Sequence, residues 1–368
     1  MVNDFKQLIA GNIMRMSKKK IALITSISAL SYANTAFSDE ITLRVGSGHP
    51  IGLLAYTETA HSFFAPELKK RVEERTDHTI RIQELHAGAV ANVTEILEAT
   101  RDGLLDIGFA SLIFEPSNAF LHNFTLFLPF GTPDGHKATQ AGRATLEAFP
   151  ELIEYFETDF NQKYLTGSCL ENYGLGTNFA WSNFEDLEGR RIAGAGVNLD
   201  WIAGATPVTS NLNEAYQSIQ TGVYDGYISA VPWWASFSLY EVADYFTLVD
   251  FGSQYVNSVT INLDTWNELP VDVQEILQEV ALEYEQATAD LCVASEEAGI
   301  AKLKAEGVEV REIEEKTKAD WANALSDFPN RMAEEANNRG LPGTEVMNFY
   351  MDQLETLGYE WPLRYEID

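Results

Sequence analysis

The stretch from Glu185 to Trp234 constrains the fold of this chain most. Gly189 marks a turn, and Arg190 to Ile192 reads as a short strand behind it. A glycine-rich turn follows at Gly194 and Gly196, then a helix from about Asn198. Ala205 to Val208 reads as a second strand. Asn213 then caps a helix whose Ala215, Tyr216, Ile219 and Val223 fall at helical spacing. Asp225-Gly226 turns the chain into a third strand, Tyr227 to Val231. Strand, helix, strand, helix and strand in that order predict an α/β fold with a parallel sheet. Ligands on such sheets sit outside the carboxyl ends of the strands. Those ends are Ala193–Gly196, about Thr209, and Ser229–Trp234.

The rest of the chain repeats this grammar. Ile41, Leu43 and Val45 alternate along a first strand that runs into the turn GSGHP, which holds His49. Residues 60–76 form an amphipathic helix, 80–85 a strand, 94–103 a helix and 104–110 a strand ending near Phe114 and Glu115. Residues 137–160 are helical with weak breaks, and 255–263 alternate like a strand. Behind Pro270 an apolar stripe (Val273, Ile276, Leu277, Val280, Tyr284) opens a helix running to Gly307. Such a helix is about 55 Å long and too long for one small domain. A late strand, 308–312, and helices near 317–337 and 343–357 close the chain.

The blocks DLEGRRIAGAG (186–196), GATPVT (204–209) and EAYQSIQTGVYDG (214–226) resemble, at matching spacing, the solute-binding subunits of tripartite ATP-independent periplasmic (TRAP) transporters, the DctP-like family. The resemblance runs along nearly all of the chain beyond Ser38. It implies a two-domain periplasmic binding protein of the type II kind, with a hinge and a long helix spanning both domains. The first domain would hold 39–164 and about 252–285, and the second 165–251 and about 300–330. The spanning helix would cover about 270–306, with C-terminal helices over 331–368. TRAP permease membrane subunits would be the partners and a periplasm the compartment. Two arginines usually clamp the substrate carboxylate in this family. Here their places fall on Ala193 and near Gly174, so the ligand chemistry has to be argued from other residues.

The start of the chain reads as an export signal, 1–38, with an over-long beginning. Lys18-Lys19-Lys20 is a basic segment, Ile21–Leu30 an apolar one, and Ala36-Phe37-Ser38 a cleavage site. Beyond Ser38 there are 20 basic and 54 acidic residues, a net charge of -34. That field repels nucleic acid and anionic membranes. The two cysteines, Cys169 and Cys292, either pair in an oxidising compartment or stay as buried thiols.

Chemistry-bearing motifs are absent. The sequence has no G-x-S-x-G elbow, no H-E-x-x-H and no phosphate-binding G-K-[ST]. The six histidines stand singly, so no metal, no cofactor and no enzyme is expected. What remains near the strand ends is aromatic: Tyr227, Trp233 and Trp234, with Trp201, Tyr173 and Phe114. Rings around a cation contribute about 0.5–2 kcal/mol each. Glu171, Glu115 and Asp200 are candidate anchors for it, and Ser229, Asn198 and His49 candidate polar contacts. A carboxylate in a closed cleft without an arginine would be a costly unpaired anion. The expectation is therefore a monomeric TRAP solute-binding subunit that takes a cationic or zwitterionic amine, such as ethanolamine, choline or a betaine. The rivals are an organic acid held by Arg190 or Arg191, a sensing module, and a periplasmic enzyme.

Overall fold

The structure is a computed structural model and describes residues 40–202 and 204–368. The expected export signal lies outside the described residues. Two twisted sheets, each flanked by helices, carry the described chain. The strands of the first sheet are β1 (Ile41–Ser47), β2 (Ile80–Leu85), β3 (Ile107–Ser111) and β4 (Gln162–Leu170). The second sheet takes β5 (Tyr173–Thr177), β6 (Arg191–Gly194), β7 (Thr206–Thr209), β8 (Gly226–Ala230) and β9 (Tyr245–Leu248). The chain then returns to the first sheet with β10 (Gln254–Asn262) and ends its strands in the second with β11 (Glu309–Glu312). The orders are β2-β1-β3-β10-β4 and β11-β9-β5-β8-β6-β7. The organising unit forms as its spacing predicts, with β6 parallel to both β7 and β8.

Several local readings shift. The residues after Gly194 make a 3-10 helix, Gly196–Trp201. The next helix, Leu212–Gln220, is capped by Asn211, whose side chain accepts from Asn213 N at 3.0 Å. The third strand stops at Ala230. Pro232 then opens a short helix, Val231–Ser236, so Trp233 and Trp234 are helical neighbours rather than strand residues. Strand β4 pairs antiparallel with β10 in the first sheet. The chain therefore changes sheet at Glu171-Asn172 rather than near residue 165.

The two lobes meet at two crossings and one helix. The crossings at Asn172 and at Asp250–Ser253 bond to each other: Phe251 N donates to Tyr173 O (2.9 Å), and Asn172 Nδ2 donates to Asp250 Oδ1 (2.8 Å). Paired crossings of this kind make a hinge that bends without coming apart. The long helix, Val271–Ala305, has Pro270 as its N-cap residue. Gln278 Nε2 donates to Leu165 O (2.7 Å) and Tyr284 Oη to Tyr56 O (3.0 Å), both in the first lobe. Further along, Gly299 rests on Val231 and Pro232 of the second lobe, where a Cβ would come within 2.9 Å of Val231. One helix thus touches both lobes, as its length requires.

Candidate functional site

A closed slot lies between the lobes, at the carboxyl ends of β3, β4, β6 and β8. With the lobes in this position it is narrow, with a cavity volume of only about 20 Å³. The first lobe contributes His49, Leu54, Ser111, Ile113, Phe114 and Leu170. The second contributes Tyr173, Ala195, Asn198, Tyr227, Ile228 and Trp233, with Leu212 beside them. No Lys, Arg, Asp or Glu is among these lining residues.

The rings meet nearly at right angles. Tyr173 and Trp233 are T-shaped, with centroids 5.0 Å apart, and His49 tilts against Phe114 at 5.6 Å. His49 Nδ1 bonds to Tyr56 Oη at 2.7 Å. Burial pushes its pKa down to about 4, so the imidazole is neutral at physiological pH. Three polar atoms of the lining are buried without a protein partner: His49 Nε2, Asn198 Oδ1 and Trp233 Nε1. Buried polar atoms are nearly always bonded, so open ones on lining residues invite a ligand or water. The lobes touch where the slot closes. Gly196, at φ +63°, lays its backbone on Ile113, and a Cβ there would stand 2.7 Å from Ile113 O. Ser236 Oγ donates to Leu53 O (2.9 Å) across the same seam.

Glu171 stands behind this wall, on the crossing between the lobes. Its Oε1 accepts from Ala55 N (3.1 Å), the first residue of the helical run Ala55–Arg75. Burial pushes its pKa up to about 7, against the opposing pull of backbone N–H groups and the Trp233 indole, with Glu296 raising it further. The indole N–H faces the carboxyl, and Trp233 Nε1 and Glu171 Oε2 have no other protein partner. Glu171 also borders an outer groove with Glu58, Ser236 and Lys302.

The structure thus brings His49, Phe114, Tyr173, Asn198, Tyr227 and Trp233 to one space and leaves six expected residues outside it, of which Asp200 is exposed. Trp234 lies flat on Gly176, where a Cβ would meet its ring at 2.3 Å, and packs on Phe246. Trp201 backs Tyr173 from the core and donates to Leu126 O (3.0 Å). Ser229 is fully buried in β8 and bonds Ala230 O (3.2 Å). Glu115 turns into the first lobe toward Asn118 (3.0 Å), where burial and then Glu98 push its pKa up to about 7. Glu171 is in the shell described above. Sequence reasoning missed Ser111, Ala195 and Leu212 as lining residues, although all three sit at or just past strand ends. Leu54 and Leu170 carried no local signal.

At Ala193 and Gly174, where the resemblance would put arginines, stand core and close-packed backbone. A Cβ on Gly174 would stand 2.5 Å from Thr247 O, so no side chain fits there, and Ala193 is fully buried. Arg190 stacks on Phe179 at 4.2 Å, and Arg191 pairs with Asp225 at 2.8 Å. Among the described residues no group of His, Cys, Asp and Glu is arranged to hold a metal, and no helix is long and apolar enough to cross a membrane.

Residues 54–336 match the family described as bacterial extracellular solute-binding protein, family 7, also called DctP. The chain belongs to this family. Family 7 proteins are solute-binding subunits of TRAP-type transporters, not enzymes. They bind small solutes and work with membrane permease subunits. The ectoine-binding periplasmic protein TeaA of Halomonas elongata is 24% identical over 268 residues, 69% of this chain and 75% of that protein. The sialic acid-binding periplasmic protein SiaP of Vibrio cholerae is 24% identical over 314 residues, 80% and 88% of the two chains. Among solved structures, the ectoine-binding protein of the Halomonas elongata TeaABC transporter superposes with a TM-score of 0.73 at 21% identity, over 86% of this chain and 99% of that one. A marine metagenome TRAP protein specific for aromatic acids gives 0.74 at 18% identity, over 86% and 98%. These superpositions establish the fold.

Proposed function

We propose that this family 7 protein captures a small cationic or zwitterionic amine in the slot between its lobes. One observation carries the reading: the lining is aromatic and apolar and holds no cationic side chain. A net anion closed in such a space would lose its water and gain no counter-ion, whereas a zwitterion's carboxylate carries its own cation. An ammonium gains ring faces from Tyr173, Tyr227, Trp233 and Phe114, each contributing about 0.5–2 kcal/mol. Glu171 adds negative charge from behind Trp233. Asn198 Oδ1 is open to accept from a ligand hydroxyl or N–H, and His49 Nε2 is open to the ligand's polar end. The leucine and isoleucine walls favour a methylated cation of the choline or betaine kind over ethanolamine. The ligand of TeaA, ectoine, lends support, as does that of UehA from Ruegeria pomeroyi, ectoine or 5-hydroxyectoine.

In this reading the export signal takes the chain to the periplasm, where it acts as a monomer. The solute enters with the lobes apart, and closure at Gly196 and Ser236 buries it for delivery to the permease. The test is a thermal-shift panel of amines, betaines and carboxylic acids at fixed salt. A ligand at a hundred times its Kd stabilises by about 2.7 kcal/mol, an easily read shift. Shifts from amines or betaines alone are expected. Shifts from carboxylic acids alone would overturn the proposal.

A further inference from the structure

The two cysteines come together although 123 positions separate them. Cys169 is in β4, two residues before the crossing at Glu171, and Cys292 is midway along the long helix. Their Sγ atoms are 3.1 Å apart. Both side chains are buried, in a small cluster with Ala55 and Ala289. Gly135 makes the room: a Cβ there would stand 3.2 Å from Cys292 Cβ and 3.4 Å from Cys169 Sγ.

We propose that Cys169 and Cys292 form a disulfide in the exported protein, fastening the long helix to the first sheet beside the hinge. Two thiols that face each other in an oxidising compartment are placed to pair. Closing the contact to the bond length of about 2.05 Å takes a shift of about 1 Å. In the reaction two S–H bonds break and one S–S bond forms. Two protons leave, and two electrons pass to the disulfide of an exported thiol oxidoreductase, which becomes a dithiol. The site is closed to such a partner once folded, so the exchange belongs to the folding chain.

The position of the bond gives it a consequence. The helix is tied to β4 at Cys292, while seven residues further on Gly299 only rests against Val231 and Pro232. The bond therefore fixes the middle of the helix to the first lobe, while its end runs on into β11 of the second sheet. This holds whatever the ligand is.

The test uses the full chain exported to the periplasm of a bacterial host and purified without reductant. The protein is unfolded in guanidinium with excess iodoacetamide and weighed. No added alkyl group is expected, and two after prior reduction. Two alkyl groups without reduction would overturn the proposal. In thermal unfolding, reductant should lower the wild-type Tm by about 5 °C or more and leave the Cys169→Ala/Cys292→Ala variant unmoved. A disulfide seen by mass but no Tm change on reduction would overturn its fastening role.

Discussion

Two aromatic-rich regions of this molecule are built from the same residue types and do different things. Around Trp321 the rings of Phe130, Trp181, Phe184 and Phe251 pack within 6.1 Å, and the Trp321 N–H is bonded to Trp201 O (2.9 Å). Trp201, next in line, bonds Leu126 O. Around the slot, Tyr173, Tyr227, Trp233 and Phe114 surround empty space, and three polar atoms stay open. An open indole N–H alone does not mark a site, since Trp181 and Trp234 also have one away from the slot. What differs is the setting: His49 Nε2 and Asn198 Oδ1 belong to two residues of one lining, while the third open atom, Trp233 Nε1, faces Glu171 behind it. Aromatic content therefore does not distinguish a core from a binding site; the gap that the slot's rings leave between the two lobes does.

The widest gap between the regions should appear on truncation. Trp321→Ala removes a fully buried ring and should cost about 3–5 kcal/mol in urea unfolding. Its ligand-induced thermal shift should survive wherever the variant is folded. If ligand binding vanishes in folded Trp321→Ala, the Trp321 region is not merely core.

The next effect separates two buried carboxyls. Glu171 and Glu115 are both pushed up to about 7 by burial, from an ordinary value near 4.5. Between those values the folded state holds a proton that the unfolded chain has released. Stability is therefore lost as pH rises from about 4.5 to 7, and for fully buried Glu171 the loss is about 3 kcal/mol. Glu171→Gln should remove that loss and unfold later than wild type at pH 8. Glu115→Gln should act in the same direction. Only Glu171→Gln should also weaken amine binding and flatten its rise with pH through about 7, read by calorimetry. Glu296 faces the same carboxyl, so Glu296→Gln should ease the ionisation of Glu171 and move that rise to lower pH. Equal effects of Glu171→Gln and Glu115→Gln on ligand binding would erase the distinction.

A smaller and more local change tests the open indole. Trp233→Phe keeps a ring and removes the N–H. It should alter stability by about 1 kcal/mol and lower amine affinity about tenfold, a loss of about 1.4 kcal/mol. Trp234→Phe, on the other side of the same helix, should leave affinity within about twofold. If the two variants weaken binding alike, the slot geometry around Trp233 is not what the ligand reads.

Those two tryptophans also show how far the sequence could be read. Strand alternation would put them on opposite faces, and only Pro232 hinted that a helix starts there. The strand-end rule led to Trp233 because local spacing fixes where strands stop. It could not find Leu54 or Leu170, which arrive from elements distant in sequence. Tyr164–Asn172 looks the same whichever sheet it joins, so the change of lobe was placed too early; pairing with β10 decides it, and that partner is about 90 residues away. Glu115 was chosen for standing next to Phe114, but the 3-10 turn Leu112–Phe114 sends the two side chains different ways. The cysteine contact was open for the same reason as the leucines: the fold sets the distance between separate elements.

The smallest expected effect is the one that most directly opposes an acid ligand. If a basic residue had taken over from the family's arginines, Arg190 and Arg191 are the nearest in sequence. Arg191 is 44% exposed at its side chain and already bonds Asp225 and Gly222 O, while Arg190 lies on Phe179. Surface pairs of this kind contribute about 0–1 kcal/mol. Salt at 0.1 M screens exposed charges beyond about 10 Å. Arg190→Ala and Arg191→Ala should therefore each change ligand affinity by less than about twofold and stability by less than about 1 kcal/mol. A tenfold loss from either would mean that the guanidinium reaches the ligand when the lobes move. The ligand would then carry an anionic group, and the uncharged lining of the closed slot would no longer identify what it binds.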